Sequence, residues 1–345
     1  MKIVYSALQF DKMNPSRGLS FEHSNFYESL TRFPGAEVLY FPYERMLDVG
    51  KEKMNQELLE AVRHEKPDLF FAFMYTDELD TKTLDAIKNI TKSVAWFPDD
   101  HWRFDNYSKY YAPHFSWVVT TYSKAVEKYK EIGIQNVIHS QWAANTSTYK
   151  PSLKSKDIDV SFVGSWNKER GRVIRVLLEH GIRIEVYGNG WKNGRIQQKE
   201  LVEIIGRSKI SLGLNPSSAY IGIKPLIRFF FKRSGRWIVP DFWNFFDNVR
   251  EWRQKSIPQI KARIFEIPAC RSLLFTQIAD TLAEYYKPGE ECVIYEDLED
   301  LIVKIQYYLQ HNEERENITL RGYERTLRDH TYERRFSDIF KILEL

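Results

Sequence analysis

The stretch Gln259-Ile-Lys-Ala-Arg-Ile-Phe-Glu-Ile-Pro-Ala-Cys270 places one carboxylate, Glu266, just ahead of a proline within an apolar run. Pro268 is predicted to occupy the first turn of a helix, where the missing N–H of proline costs nothing. Glu266 would then lie at the positive end of the helix dipole, which stabilises a carboxylate by about 0.3–1 kcal/mol. Such an acid either binds the hydroxyl groups of a ligand or only serves the helix terminus.

Outward from this stretch, short apolar segments rich in branched and aromatic residues alternate with charged helical segments. This alternation is typical of α/β proteins with parallel sheets. Strands are predicted at residues 2–5, 37–41, 69–73, 93–97, 117–120 and 136–140, and again at 159–164, 183–187, 209–214, 272–276 and 292–295. The pattern lapses in the polar, basic stretch 150–156, so we predict a first domain of residues 1–150 and a second of residues 151–325.

The bulk properties agree with a soluble protein of two domains. A chain of 345 residues is longer than one hydrophobic core usually supports. A net charge of +3 is too small to favour nucleic acid as a partner. The N-terminus reads as a strand, no run approaches ~18 apolar residues, and the two cysteines form neither a metal motif nor a disulfide framework. We therefore expect a cytoplasmic protein.

Several segments carry a resemblance to a known family. The motifs at 265–270, 287–291 and 322–336 resemble the C-terminal half of bacterial GT-B glycosyltransferases of the spore-maturation (CgeB-like) type, in glycosyl transferases group 1, and those at 95–103 and 120–125 resemble its N-terminal domain. The resemblance implies an α/β fold, GT-B, in which two Rossmann-like domains face each other across a cleft and a C-terminal helix, here 326–345, crosses back to the first domain. It also implies transfer of a hexosyl group from a nucleotide sugar to an acceptor hydroxyl in polysaccharide biosynthesis, without metal or cofactor. The acceptor would be a glycan, a lipid-linked glycan or a protein.

The first candidate donor site is the turn after the strand at 159–164. Gly164 lets the backbone approach a phosphate, Ser165 or Asn167 is the expected N-cap, and the helix dipole favours an anion. The guanidinium of Arg170 is suited to bidentate phosphate binding. The alternative is an ordinary tight turn with solvated basic residues.

The remaining donor-binding candidates follow later strands or flank the opening stretch. By resemblance, Glu266 is the acid that grips the donor ribose, and Lys261 and Arg263 either add positive charge near the diphosphate or form surface ion pairs. The other candidates are Tyr187, Gly188, Gly190, Asn215 and Ser217. They lie in turns that either contact the donor or are merely structural.

Candidate catalytic residues lie in the first domain. The common retaining pattern of the family has a second acid eight positions before Glu266, but this chain has Pro258 there. An inverting transfer instead needs a base that takes the acceptor proton. Asp100 is the first choice and Asp99 the second, because both follow a predicted strand; His101 is an alternative, although a histidine beside two acids is more often structural. Adjacent aspartates point apart, so no metal site is expected.

The segment 220–255 mixes aromatic side chains with an excess of lysine and arginine. We assign it, as residues 218–257, to an insertion in the second domain that controls access of the acceptor. Its composition suits either peripheral contact with the inner face of a membrane or a groove that stacks on sugar rings. The alternative is a packed structural insertion.

Two other functions remain open at this point. One is a GT-B protein without catalysis that binds nucleotide sugars or acts in assembly. The other is a nucleotide-sugar epimerase or a phosphorylase of the same fold, because fold does not determine function.

Overall fold

The computed structural model describes residues 1–215, 223–234 and 237–345. The chain forms two compact units. The first consists of residues 1–141, 217–257 and 335–345, and the second of residues 142–216 and 258–334. Ser217, one of the predicted donor-binding residues, lies outside the described residues.

The first unit contains a six-stranded parallel sheet with the strand order β2-β1-β3-β4-β5-β6. Its central strands are buried on both faces, which explains their unbroken apolar sequences. The strands are β1 (Lys2–Ala7), β2 (Glu37–Pro42), β3 (Leu69–Phe73), β4 (Lys92–Phe97), β5 (Trp117–Thr120) and β6 (Val137–His139).

Helices cover both faces of this sheet. They are α1 (Glu28–Thr31), α2 (Arg45–Val49), α3 (Lys51–Glu65), α4 (Thr81–Lys88), α5 (Asp100–Arg103), α6 (Lys109–Tyr111) and α7 (Ala125–Glu131). Two further segments of this unit, Glu22–Tyr27 and Phe104–Ser108, are π-helical. Short 3₁₀ turns lie at Asp11–Met13, Pro15–Arg17 and Ala112–His114.

The second unit contains a five-stranded parallel sheet with the order β13-β12-β9-β7-β8. The strands are β7 (Ile158–Val163), β8 (Ile184–Tyr187), β9 (Ser208–Gly213), β12 (Leu273–Thr276) and β13 (Val293–Ile294). The chain moves from β7 to β8 on one side and returns to β9 on the other side of β7. The strand order therefore reverses between β7 and β9, and open α/β sheets bind ligands at the carboxyl end of such a reversal.

The helices of the second unit surround this sheet. They are α8 (Lys168–Glu179), α9 (Gln198–Arg207), α12 (Arg263–Ala269), α13 (Leu282–Tyr285), α14 (Leu298–Gln310) and α15 (Asn312–Asp329). Both cysteines are buried free thiols in the core of this unit, as predicted. The last helix, α16 (Tyr332–Ile342), begins in the second unit. Its apolar side chains Phe336, Ile339 and Phe340, and Leu343 just beyond its end, are buried in the first.

The division of the chain differs from the predicted one in two respects. The first boundary falls between 141 and 142 rather than at 150, because Ala144 pairs with Thr331 in the second unit. The segment 217–257 groups with the first unit, not the second. It contains α10 (Ile223–Arg228), the hairpin of β10 (Phe231–Ser234) and β11 (Trp237–Pro240), a 3₁₀ turn (Phe242–Asn244) and α11 (Phe245–Gln254).

The predicted helix start at Pro268 is wrong. Helix α12 begins at Arg263, and Pro268 lies in its last turn, where it lacks the N–H that would donate to the carbonyl four residues earlier. Glu266 is nevertheless in the first turn of the helix, although the proline is not the cause.

Candidate functional site

Arg170 links the two loops that follow β7 and β9 in the second unit. Its guanidinium donates through Nη1 to the Ser165 carbonyl at 2.8 Å and through Nη2 to the Leu214 carbonyl at 3.1 Å. The side chain also lies over the Phe162 ring, 5.4 Å from its centroid. Because these loops flank the point at which the strand order reverses, Arg170 lies where a ligand of this sheet is expected.

The turns containing Gly164 and Gly188 touch through their backbones. The Gly164 N–H donates to the Tyr187 carbonyl at 2.9 Å, and the Trp166 N–H donates to the Asn189 carbonyl at 2.8 Å. Gly188 has φ of +133°, and a Cβ built there would lie 2.1 Å from the Gly164 carbonyl oxygen. Glycine is therefore required at 188, since any side chain would separate the two turns.

Helix α8 begins beside this pair of turns. Asn167 is its N-cap, because its side chain accepts a hydrogen bond from the Arg170 N–H at 2.8 Å. This confirms one of the two predicted caps. Ser165 is exposed next to the first turn, so the positive end of a helix of 12 residues is open to an anion.

Asn215 continues the site at the end of β9. Its Nδ2 donates to the Thr276 hydroxyl at 3.2 Å, while its Oδ1 has no hydrogen-bond partner among the described residues. The residue is only 3% exposed. A buried acceptor without a partner costs free energy, which a donor group of a ligand would recover.

Glu266 is buried in helix α12 and paired with its neighbour one turn earlier. Its Oε2 lies 2.6 Å from Nη1 of Arg263, and the residue is 2% exposed. Burial and the adjacent Glu266 carboxylate together raise the pKa of Tyr149 well above its usual value. Helix α12 packs closely on β9, because a Cβ at Gly213 would lie 2.8 Å from the Ile264 side chain. The predicted ribose acid is thus an oriented, ion-paired carboxylate.

Arg170 and Arg263 place two positive charges near each other. Burial and the charge of Arg263 both lower the pKa of Arg170 below the usual arginine value. Like charges held together in a protein favour a bound anion, because the anion removes their repulsion. The charge of Arg263 is balanced by Glu266, so Arg170 and the open start of α8 form the region of the second unit that can bind a diphosphate.

The structure also shows the surroundings of three more residues predicted to bind the donor. The hydroxyl of Tyr187 donates to Glu185 at 3.0 Å, so this residue contributes to the turn through its carbonyl. Gly190 makes room for Trp166, since a Cβ there would lie 2.9 Å from the Trp166 Cβ. Lys261 is partly exposed immediately before α12.

The predicted catalytic residues follow β4 in the first unit. Asp100 is 0% exposed and accepts a hydrogen bond from the Tyr129 hydroxyl at 2.9 Å. Burial raises its pKa to about 6. His101 is also buried, at 4% exposed, whereas Asp99 is partly exposed. A general base must reach the proton it removes, and Asp99 is the most exposed of the three candidates.

Glu22 was not predicted from the sequence. It is partly exposed in the first turn of the π-helical segment Glu22–Tyr27, close to the loop that follows β1. Burial raises its pKa to about 7, and nearby Asp11 and Glu44 add to the shift. No sequence motif surrounds Glu22. The π-helix that contains it is the feature that suggests a function, since π-helices are frequent at functional sites, but a π-helix has no clear sequence pattern.

Within the described ranges 1–215, 223–234 and 237–345, no group of three or more histidine, cysteine, aspartate or glutamate side chains is arranged to hold a metal ion. In the same residues, no helix is long and apolar enough to cross a membrane.

Comparisons with known proteins give the fold. Residues 238–341 match the model of a family described as Glycosyl transferase-like. No curated protein matches the sequence. Anabaena HepE in complex with UDP-glucose is 10% identical, with a TM-score of 0.60 over 100% of this chain and 99% of that chain. The sucrose-phosphate synthase from Thermosynechococcus elongatus is 10% identical, with a TM-score of 0.57 over 99% and 98% of the two chains. The chain has the GT-B fold.

A lipopolysaccharide outer core galactosyltransferase, WaaB, has the same fold at 12% identity and a TM-score of 0.55, over 99% of both chains. This confirms the predicted fold class, two parallel-sheet α/β domains of GT-B type. In each unit of this GT-B chain, candidate residues follow the carboxyl ends of parallel strands, where such sheets bind ligands.

Proposed function

We propose that this GT-B protein is a glycosyltransferase that moves a hexosyl group from a nucleotide sugar to an acceptor hydroxyl. The observation that carries the proposal is the region in the second unit where the open start of α8 lies beside Arg170, which in turn is near Arg263. Such a region suits a diphosphate. The family match of residues 238–341 and the neighbours solved with UDP or UDP-glucose support the same proposal.

In this proposal each donor-site residue has a distinct role. The Ser165 N–H and those of the first residues of α8 bind the diphosphate, since the N–H groups of Gly164 and Trp166 already donate to the neighbouring turn. Arg170 neutralises the diphosphate. Glu266 accepts hydrogen bonds from the ribose hydroxyls, since a carboxylate accepts two donors at once. Asn215 Oδ1, which is buried without a partner among the described residues, accepts a hydrogen bond from the donor.

The reaction needs one proton acceptor. As the acceptor oxygen bonds to the anomeric carbon, its proton passes to the Asp99 carboxylate. The bond from the anomeric carbon to the phosphate oxygen breaks, and the nucleoside diphosphate leaves with the negative charge, which the arginines stabilise. Positive side chains can fulfil this task, and the proposal therefore includes no metal or cofactor. Glu22 is the second candidate base, because its side chain is partly exposed at the start of the π-helical segment beside the loop that follows β1. Its raised pKa agrees with such a role.

The finer parts of the proposal concern the acceptor and the location. A glycan, a lipid-linked glycan or a protein remains the proposed acceptor. The proposed setting is bacterial polysaccharide biosynthesis in the cytoplasm, with peripheral contact at the inner face of a membrane through residues 220–255. Two buried free thiols agree with a reducing compartment.

A panel of nucleoside diphosphates tests donor binding through thermal stability. The matching nucleotide should stabilise the folded chain by about 2.7 kcal/mol at a hundredfold excess over its dissociation constant. Mass spectrometry of products formed with the corresponding nucleotide sugars then identifies transfer. If no nucleoside diphosphate stabilises the chain, the proposal is refuted.

A second candidate function is binding of nucleotide sugars without catalysis. The burial of Asp100 and His101 favours it, because it removes two of the three predicted bases from contact with an acceptor. Nucleotide binding without a transferred sugar, with each of the candidate acceptor classes, would support this function.

A further inference from the structure

Helix α11 presents an outward stripe that is both aromatic and basic. The stripe, which we call the aromatic face, consists of Trp243, Phe246, Arg250, Arg253 and Ile257, spaced at alternating intervals of three and four residues. Phe246, Arg250 and Arg253 lie in α11, where this spacing places them on one side of the helix. Trp243 lies in the 3₁₀ turn before α11, and Ile257 lies just after its end. Trp243 is 98% and Phe246 is 82% exposed, and the other three are exposed as well.

The opposite side of the same segment is packed. Phe245 lies 5.3 Å from Phe230 between ring centroids, and Asn248 donates hydrogen bonds to the Phe229 carbonyl and the Asp241 carboxylate, both at 3.1 Å. These contacts bury the inner side chains and direct Trp243 outward. The exposure of the aromatic face is therefore a consequence of how the helix is held.

Contacts to the rest of the first unit hold this segment in place. Gln254 donates to Asp105 at 3.2 Å, and Asn106 donates to Glu251. Lys255 lies 3.8 Å above the Trp102 ring. The aromatic face is thus attached to a folded support at the C-terminal end of α11, so its side chains need no reordering of the backbone there to contact a partner.

The neighbouring elements extend the apolar surface. Trp237 and Ile238 are each 68% exposed on the hairpin of β10 and β11. Leu226, Ile227, Phe230 and Phe242 are exposed as well. Single exposed apolar residues are ordinary, but a contiguous sequence segment with this many large ones marks an interaction surface.

Charge indicates the kind of partner. The exposed charged side chains of the segment are basic: Arg228, Lys232, Arg233, Arg250 and Arg253. Its acids are neutralised locally, since Asp241 lies 3.4 Å from Lys232, Asp247 lies 3.3 Å from Arg250, and Glu251 pairs with Lys255. Arg228 and Arg253 have no carboxylate partner in the described part of the chain. The surface therefore offers positive charge to an anionic partner.

We propose that the aromatic face binds the surface of an anionic lipid bilayer. Tryptophan and phenylalanine enter the boundary between headgroups and acyl chains, and the arginines bind lipid phosphates. A second copy of the chain fits less well, because two such faces would bring like charges together. A sugar-binding groove fits less well too, because Trp243 and Phe246 protrude almost fully. Membrane binding itself is independent of catalysis, while its use in reaching a lipid-linked acceptor rests on the proposed function.

Vesicle cosedimentation of the full chain without nucleotide tests the inference. Vesicles of phosphatidylcholine with 30% (about one lipid in three) phosphatidylglycerol should bind the protein, and pure phosphatidylcholine should bind it far less. Replacing both Arg250→Gln and Arg253→Gln should weaken binding about 30-fold, since each basic residue near an anionic surface contributes about a fivefold factor. Trp243→Ser with Phe246→Ser should weaken it at least about tenfold.

Matched controls separate this surface from general charge and hydrophobicity. Arg172→Gln with Arg175→Gln removes two exposed arginines at the same spacing on α8, and should change vesicle binding little. Trp243→Phe should keep binding but lose the quenching of tryptophan fluorescence by brominated lipid that depends on Trp243. Circular dichroism and thermal melting report whether each variant is folded.

Three results would overturn the proposal. One is absence of binding to anionic vesicles at low salt. Another is equal loss of binding in the α8 control. The third is a dimer in sedimentation velocity that the Trp243→Ser and Phe246→Ser substitutions dissociate, which would assign the face to a second copy. Nucleotide-dependent stabilisation should be the same in wild type and in these variants, so failure of lipid binding and failure of the transferase proposal give different results.

Discussion

Replacement of Glu266 by glutamine should affect folding and nucleotide binding through separate mechanisms. The carboxylate is buried and lies 2.6 Å from the Arg263 guanidinium. Glu266→Gln keeps the shape of the side chain but leaves a buried positive charge without its partner, which typically costs about 3–5 kcal/mol of folding stability. The loss of an acceptor for the ribose hydroxyls should weaken nucleotide binding by about 1.5–3 kcal/mol for each hydroxyl, or about 10–150-fold. A simple loss of thermal shift would therefore confuse the two effects.

A comparison of ligands separates them. Isothermal titration calorimetry would measure the dissociation constants of the nucleoside diphosphate that stabilises the chain most and of its 2′,3′-dideoxy analogue, on wild type and on Glu266→Gln. Wild type should bind the dideoxy analogue at least about tenfold more weakly. The variant should discriminate between the two ligands much less than wild type, because glutamine keeps one neutral acceptor oxygen in place of two charged ones. The coupling between the two changes measures the contact between Glu266 and the ribose.

The double variant Arg263→Met with Glu266→Gln is the control for folding. It removes both charges of the buried pair, and replacement of such pairs by apolar groups is often neutral for stability. Urea denaturation should therefore show that the double variant recovers most of the stability lost in Glu266→Gln. If the dideoxy analogue loses the same factor in wild type and in Glu266→Gln, the assignment of Glu266 to the ribose is refuted, whatever happens to folding.

Other substitutions address the rest of the site. Gly188→Ala should destabilise the chain by about 1–3 kcal/mol in urea denaturation and weaken nucleotide binding, because its Cβ would lie 2.1 Å from a backbone carbonyl oxygen; Gly194→Ala, at a φ of +70° with open space, should cost less. Asp99→Asn should lower kcat by about 10²–10⁴-fold, with nucleotide binding unchanged, and a wild-type rate would exclude Asp99 as the base. Burial raises the pKa of Asp100 from 3.8 to about 6 in the folded chain. The protonated carboxyl group therefore contributes its full stabilisation of the fold below pH 3.8, and this stabilisation is lost as the pH rises through about 6. Asp100→Asn should therefore gain up to about 3 kcal/mol relative to wild type between pH 4 and 8, and a parallel pH profile of the two proteins would contradict this. Arg170→Met should weaken nucleoside diphosphate binding about 10–150-fold by calorimetry, and unchanged affinity would remove it from the site.

Much of the fold was predictable because parallel strands buried on both faces have a distinct composition. The strands at Leu69–Phe73 and Trp117–Thr120 have the same bounds in the structure as in the prediction. Ser116 and Thr121 flank the second of these runs, and Asp68 precedes the first, so local sequence marks these ends. The carboxyl ends of such strands then indicate where glycine turns and charged residues meet, and this brought Gly164 and Arg170 into the predicted donor site.

The errors arose where the deciding contacts are distant in sequence. The segment 217–257 was assigned to the second domain, but contacts such as Gln254 to Asp105, 149 positions apart, attach it to the first unit. Asp100 and Asp99 were both predicted as candidate bases because both follow β4, with Asp100 as the first choice and Asp99 as the second. The burial of Asp100 depends on Tyr129, 29 positions later, whose hydroxyl donates to its carboxylate. No local pattern distinguishes which of two adjacent aspartates turns inward.

Glu266 was predicted to lie at the start of a helix, and it does, but the predicted reason for that position was wrong. The prediction placed the acid before a helix that starts at Pro268, whereas the helix starts at Arg263 and holds Glu266 in its first turn. The consequence for binding is greater than a shift in boundaries. A carboxylate placed before a helix would have to be ordered when the ligand binds, which costs about 0.5–1.5 kcal/mol for a flexible side chain. Because Arg263 already fixes Glu266 within the helix, that cost belongs to folding instead, and a ligand hydroxyl would meet an acceptor that is already oriented.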